Sequence, residues 1–388
     1  MSGSKPHLGA LSGIRFFAAF NVVLFHLWGG QNFHLNSSFL TGIVSSGYVG
    51  VSFFFVLSGF IHAYAYGPER VEGLGLGKFY RGRILRIYPV YLLALILASW
   101  TFVHSAPFLQ LIKPGVTVLT MTQAWMPSTA MAWNYPAWTM SSELLFYLMF
   151  PFIAPPVARL SRRNLLILAG AALVVMLAIP SLYIIVAPDG FRRVLSNYGS
   201  DWLNVVKFNP LSRLPEFVIG LAVGYHFTKS NFGEIRSEES ANVARFRGDL
   251  LAGAGLLLTL LMLGFSAHLP YLYLHNGLMA LPFSLMLYGF ASGGRVARLF
   301  ENRVLIAAGD SSYAMYLIQA PVFTWLQSAG VIGKPHYVLI YLATLIVSSL
   351  LVLQFFEKPA RNWFGGGGAG KKASVPAVRP VPASAPAD

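Results

Sequence analysis

Arg15 and His26 lie eleven residues apart in the stretch LSGIRFFAAFNVVLFHLW, whose other members are mostly Phe, Ala, Val and Leu. On an α-helix, eleven steps of about 100° return to within about 20° of the start. Both side chains therefore share a face, about 16 Å apart along the axis. An ionisable side chain turned to lipid in such a segment costs several kcal/mol, so the pair is expected to face a protein interior or a wet cavity. An imidazole there suits general-base work on a hydroxyl, because it titrates near neutrality. The blander alternative for His26 is a packing histidine with its hydrogen bonds met.

Other charges interrupt apolar runs. Glu143 stands in WTMSSELLFYLMFPF, with no partner in its own helix. It either orients His26 or pairs with an arginine borne on another helix. Arg213 and Glu216 are spaced i, i+3, which suits a structural ion pair as well as a functional one. Arg81, Arg83 and Arg86 stand in KFYRGRILRIYPVY. Arginines at a helix entrance are ordinary topology signals. Arg83 and Arg86, however, share a face near a helix N-terminus, and guanidinium forks there suit phosphates, such as those of a nucleotide-containing acyl carrier. His62 and His226 read as packing residues, and His34, His104, His268, His275 and His336 as loop or interface residues. None forms a pair with metal spacing. Cysteine is absent, which excludes disulfides, a cysteine-bound acyl intermediate and a thiolate metal cluster.

The elements that must position these residues follow from composition. The chain has 388 residues, 55% hydrophobic and only 11% charged, whereas a soluble domain carries about 25% charged residues. A bilayer absorbs that much apolar surface. The expectation is an all-α, polytopic membrane helix bundle. Ten stretches are long enough to span: 8–28, 46–66, 84–104, 138–157, 164–187, 211–228, 249–267, 271–291, 304–326 and 337–356. A further stretch, 108–127, carries Lys113 and Pro114 and reads as an interfacial or re-entrant piece within a loop over 105–137. With both termini cytoplasmic, inside loops hold twenty-one Lys and Arg and outside loops five, while Arg15 and Arg213 lie in helices; that accounts for all 28. This bias supports the orientation. It also explains the net charge of +14 without a nucleic-acid partner. The first segment carries a charge at its middle and no clear cleavage site, so it reads as a helix rather than a signal peptide. Trp100, Trp125, Trp133 and Trp138 read as an interfacial belt. The segment 229–248 reads as a solvated loop. Residues 1–364 form the membrane domain, and 365–388, rich in Gly, Ala and Pro, a disordered cytoplasmic tail. No internal repeat is evident, which disfavours repeat-built transporters.

At this point the motifs resemble those of the acyltransferase-3 family of membrane acyltransferases. Arg15-x10-His26 with the lead-in Leu11-x-Gly-Ile-Arg15 is similar to that family's first-helix signature. GYVGVSFFFVLSGF (Gly47 to Phe60) is similar to its second-helix motif, and Arg83-Ile-Leu-Arg86, followed by Tyr88-Pro89, to its RxxR motif. Trp138-Thr-Met-Ser-Ser-Glu143, Arg213-Leu-Pro-Glu216-Phe217 with Gly220, Gly309-Asp-Ser-Ser-Tyr-Ala-Met-Tyr-Leu317 and Glu357-Lys-Pro-Ala-Arg361 complete seven blocks in the family's order. One block departs. A usual YLxHxP reads Tyr316-Leu-Ile-Gln319-Ala-Pro321, and glutamine hydrogen-bonds but does not titrate. No appended SGNH-type hydrolase domain is recognisable, so the resemblance implies a standalone transferase.

The resemblance further implies O-acylation of an extracytoplasmic carbohydrate, such as an exopolysaccharide, lipopolysaccharide or lipid-linked sugar, at a bacterial inner membrane. Acyl-CoA, acetyl-CoA above all, would be the co-substrate, and no metal would take part. Polysaccharide-assembly machinery is an expected partner. In this reading Arg81, Arg83 and Arg86 hold the donor's phosphates, and Arg15 steadies charge on the donor or on the tetrahedral oxyanion. His26 is the base, oriented by Glu143. A histidine-bound acyl intermediate is the variant mechanism. A secondary transporter or flippase for a sugar or anion is the alternative, because buried His, Arg and Glu also serve proton coupling.

Overall fold

The computed structural model describes residues 8–28, 35–190, 200–234 and 238–364. The expected tail 365–388, together with His34, Arg192, Arg193 and Arg236, lies outside these. Among the described residues there is no strand, as the apolar run lengths predict. The main helices are α1 (Gly9–Trp28), α2 (Gly50–Ala65), α3 (Leu76–Val103), α4 (Thr139–Arg159), α5 (Arg162–Val186), α6 (Pro210–Glu234), α7 (Glu238–Gly264), α8 (Ala280–Ala291), α9 (Ser312–Ser328) and α10 (Tyr337–Val352).

Seven helices among the described residues are long and apolar enough to cross a membrane. They coincide with seven of the ten expected spans. The other three expected spans are helical but differ in kind. The stretch 211–228 falls in α6, which has 25 residues but carries Arg213, Pro215 and Glu216 near its start. The stretch 271–291 is broken: a short helix Tyr271–His275 ends at Asn276 and Gly277, the latter at φ +96°, and α8 then runs only 12 residues. The left-handed φ at that turn favours glycine. The stretch 304–326 is broken at Ser311 into Arg303–Asp310 and the 17-residue α9. The stretch 108–127 contains a 12-residue helix, Phe108–Leu119, too short to span. Phe108 and Leu109 on it are largely exposed.

Close approaches of backbone set the bundle. Gly59 of α2 faces the Phe217 carbonyl of α6, and Gly220 and Gly224 of α6 face the Val56 and Phe60 carbonyls of α2. Glycine at these positions lets the two axes come together where a Cβ would collide with backbone, as small-residue interfaces do in membranes. Gly13 of α1 and Gly309 do the same at a second crossing, against Phe300 and Ser12.

One end of the bundle collects the basic residues. Arg159 meets Glu72 at 2.9 Å, Lys229 donates to the Leu160 carbonyl at 2.6 Å, and Arg83 donates to the Tyr66 hydroxyl at 2.8 Å. Each contact joins residues at or near the ends of different helices, so these charges share a level. Two expectations fail here. The segment 229–248, expected as a solvated loop, is helical where described, within α6 and α7. Trp138 is buried, packed against Phe55 and Phe208, so it belongs to the core rather than to an interfacial belt. Trp100, by contrast, is 71% exposed.

Candidate active site

A cavity of about 380 Å³ opens within the bundle, lined from α1, α2, α3, α4, α9 and the segment following α10. On α2 it runs from Val51 to His62 and on α4 from Thr139 to Tyr147. Eleven helical steps make it about 16 Å deep. Its mouth is at the basic end, where Arg86, Asp310, Lys358 and Arg361 are exposed. Its far end is closed by the buried Thr139 and Tyr316.

Four of the six residues singled out in the sequence line this chamber: Arg15, Arg83, Arg86 and Glu143. Arg15 projects from α1 into the chamber, which Arg86, Asp310 and Glu357 also line. Arg83 is held in an aromatic cage. Its guanidinium carbon lies 5.4 Å from the Tyr66 ring centroid, 5.5 Å from that of Phe79 and 5.8 Å from that of Tyr147. Cation–π attraction and the bond to Tyr66 fix its direction. Arg86 stands free of such a cage at the mouth. Arg81 is exposed and lies outside the chamber. That position follows from the helix period, since Arg81 and Arg83 are two residues apart and face different ways.

Glu143 accepts a hydrogen bond from Ser58 Oγ at 3.1 Å, and Tyr147 stands one turn further along α4. Its carboxylate is bonded to α2 and not to His26, which corrects the expected orienting role. Beyond α10 the helix widens into a π-turn over Leu353–Glu357. Such bulges re-aim side chains, often at functional sites. Here the turn brings Glu357 into the chamber, with Oε1 3.7 Å from Arg361 Nη1 and Oε2 without a hydrogen-bond partner.

His26 lies outside this chamber, about one helical turn beyond its closed end. Its Nδ1 is 3.0 Å from Gln319 Oε1, and its ring meets Tyr135 edge-on at 4.7 Å. The Gln319 amide has one sensible orientation, because its Nε2 donates to the Tyr316 carbonyl at 2.7 Å. Oε1 is therefore an acceptor, Nδ1 carries the hydrogen, and Nε2 keeps the lone pair a general base needs. The residue that departs from the resembled pattern is thus the one that orients His26. Sequence reasoning missed this role; the only signal was the position itself, three residues after Tyr316.

The segment before α4 closes the space between chamber and histidine. Tyr316 donates to the Pro136 carbonyl at 3.0 Å, and Asn134 Nδ2 to the Leu317 carbonyl at 2.9 Å. Arg213 and Glu216 stand elsewhere and act as a strut. Arg213 is fully buried and donates to Ser52 Oγ at 2.9 Å, Asn276 Oδ1 at 2.9 Å, the His275 carbonyl and Glu216. It ties α6 to α2 and to the turn before α8. Among the described residues no group of three or more His, Asp or Glu is placed to hold a metal.

The acyltransferase domain of the acyltransferase-3 family matches residues 8–353. The chain is 26% identical over 337 residues to acyltransferase MdmB of Streptomyces mycarofaciens, covering 82% of this chain and 79% of that protein. It is 22% identical over 380 residues to O-acetyltransferase OatA of Staphylococcus aureus; that match covers 92% of this chain but only 58% of OatA. A 199-residue match to protein 2 in the picA locus of Rhizobium radiobacter is 34% identical and covers 46% of this chain. No solved structure matches. A helix bundle with a charged internal chamber, matched to one profile over almost its whole described length, makes this chain a member of the acyltransferase-3 family of membrane acyltransferases.

Proposed function

We propose that the protein transfers an acyl group, acetyl in the first instance, from cytoplasmic acyl-CoA to a hydroxyl of an extracytoplasmic carbohydrate. The observation that carries this reading is the chamber itself. It offers Arg15, Arg83, Arg86, Lys358 and Arg361 at a mouth on one side of the bundle and ends one turn from a histidine with a free Nε2. Multiple guanidinium forks at the entrance suit the phosphates of a nucleotide carrier. With the basic end cytoplasmic, the carrier stays in the cytosol while its acyl arm enters the bundle. The names of the relatives MdmB and OatA support acyl transfer and O-acetylation.

In this mechanism His26 Nε2 takes the proton of the acceptor hydroxyl as its oxygen bonds to the thioester carbonyl carbon. The tetrahedral intermediate then expels the thiolate, leaving an ester on the acceptor. Tyr316 and the segment at Tyr135 must part for donor and acceptor to meet. Their closed state keeps water off the thioester in the meantime.

The test is purified protein in lipid nanodiscs with labelled acetyl-CoA and extracted surface glycans, read by mass spectrometry for ester mass on the glycan. Wild type is expected to form the ester, and His26→Ala to lose it while keeping the wild-type melting temperature. Ester formation by His26→Ala would remove the base. Movement of unmodified glycan across vesicles with no ester formed would replace the reading with a flippase.

A further inference from the structure

A second and larger hollow, about 940 Å³, lies between α5, α6, α7 and α8. The glycine-zipped pair α2 and α6 separates it from the acyl-transfer chamber. Each of the four helices contributes a stretch of nearly equal length. On α5 it runs from Arg162 to Leu173, on α6 from Ile219 to Ser230 and on α8 from Ala280 onward to Ser292, while α7 lines it from Glu239 to Leu251, with Gly248 set against Ser292. Twelve or thirteen residues make about 16–18 Å of helix. That is close to one leaflet of hydrocarbon, about 15 Å.

The polar residues are sorted along this length. Arg162, Ser230, Arg247 and Ser292 rim the basic end, and Glu239 stands two turns further out along α7. His226 and Tyr288 come about one turn deeper, with ring centroids 5.8 Å apart. Beyond them the walls are mostly apolar, including Leu166 and Leu281, both about half exposed. Two arginines against one glutamate leave the rim positive. A charged rim, a short polar step and an apolar trough of leaflet depth reproduce, in order, the head group, the ester carbonyls and an acyl chain.

We propose that this groove is a binding site for an anionic glycerophospholipid of the leaflet at the basic end, with one acyl chain along the trough and the phosphate at Arg162 and Arg247. Charge selects the anionic head over a zwitterionic one, whose own ammonium would meet the same arginines. The site is independent of the acyl-transfer chemistry.

Gly170 supplies a clean probe. It lines the groove, and a Cβ there meets nothing within 4 Å. A larger residue at this position fills the trough without touching backbone, and replacing a mid-helix glycine favours the helix. Full-length protein in delipidated micelles is titrated with phosphatidylglycerol or with phosphatidylcholine of the same chains, and bound lipid is counted by native mass spectrometry. Wild type is expected to retain one phosphatidylglycerol at concentrations where phosphatidylcholine is lost. Arg162→Gln with Arg247→Gln is expected to weaken phosphatidylglycerol retention about tenfold or more and to leave phosphatidylcholine unchanged. Gly170→Phe is expected to weaken both. Arg247→Glu, a change at an exposed residue, serves as the second charge variant if the double one melts early. Equal retention of the two lipids by wild type would overturn the proposal, as would unchanged retention in Gly170→Phe. Binding of glycerophosphoglycerol or inorganic phosphate as tight as that of the lipid would reduce the site to a surface anion contact and also overturn it.

Discussion

Gln319→Leu isolates the claim that His26 works through a fixed tautomer. The substitution keeps approximate volume and helix propensity and removes the Oε1 acceptor 3.0 Å from Nδ1. The backbone carbonyl of residue 319 continues to accept from the Tyr341 hydroxyl at 3.1 Å, so the local packing anchor survives. Leaving a buried N–H without a partner costs about 1–3 kcal/mol, and each 1.36 kcal/mol is about a factor of ten. Turnover is therefore expected to fall by roughly fivefold to 150-fold. The donor KM is expected to stay put, because Gln319 does not line the chamber. Gln319→Glu keeps an oxygen facing Nδ1 and is expected to retain most of the turnover. Gln319→His restores the family's usual residue and also offers an acceptor nitrogen. Initial rates of label transfer from acyl-CoA, at saturating and limiting donor, separate the two parameters. Turnover in Gln319→Leu within twofold of wild type would refute the tautomer argument. So would a Gln319→Glu variant as slow as Gln319→Leu.

Three other outcomes follow from the same geometry. Arg83→Ala with Arg86→Ala is expected to raise the donor KM about tenfold or more, with the acceptor KM unchanged, since both guanidinium forks lie at the donor end; steady-state kinetics with each substrate varied checks it. Tyr316→Ala removes the hydroxyl that latches onto Pro136 and opens the chamber's closed end. Acyl-CoA hydrolysis without acceptor is expected to rise in this variant, measured as free thiol release. Arg213→Ala strands a buried Glu216 and is expected to cost about 3–5 kcal/mol of stability. Arg213→Met with Glu216→Leu is expected to recover most of the melting temperature lost, which would mark the pair as a strut.

Much of this was legible because a bilayer leaves few choices. Apolar runs must be helices, and buried charges must turn inward. The shared face of Arg15 and His26 follows from the helix period alone, and the grouping of Arg15, Arg83, Arg86 and Glu143 in one chamber agrees with the rule that such charges avoid lipid. What escaped depends on three-dimensional neighbours. The breaks at Asn276–Gly277 and at Ser311 sit inside long apolar runs, where hydropathy averages over them. The partner of Glu143 is Ser58, eighty-five residues away, and that of His26 is Gln319, 293 residues away. No spacing rule reaches that far. Trp138 likewise reads as an interfacial ring until Phe55 and Phe208 cover it.

The helix that made the pair visible also limits what the pair can do. Arg15 and His26 stand about 16 Å apart along α1. Helical side chains lean toward the N-terminus, so the Arg15 guanidinium is drawn further toward the mouth of the chamber that Arg86, Asp310 and Glu357 also line. One carbonyl cannot touch both groups. If His26 takes the acceptor's proton, Arg15 does not hold the oxyanion formed in that step. Its work is then on the donor, inside the chamber, before the acyl carbon reaches the histidine. In the proposed mechanism the shared face is a track with two stations rather than a single catalytic centre. Tyr316 stands between them, and in that mechanism the opening of its latch to Pro136 would let the acyl group pass from one to the other.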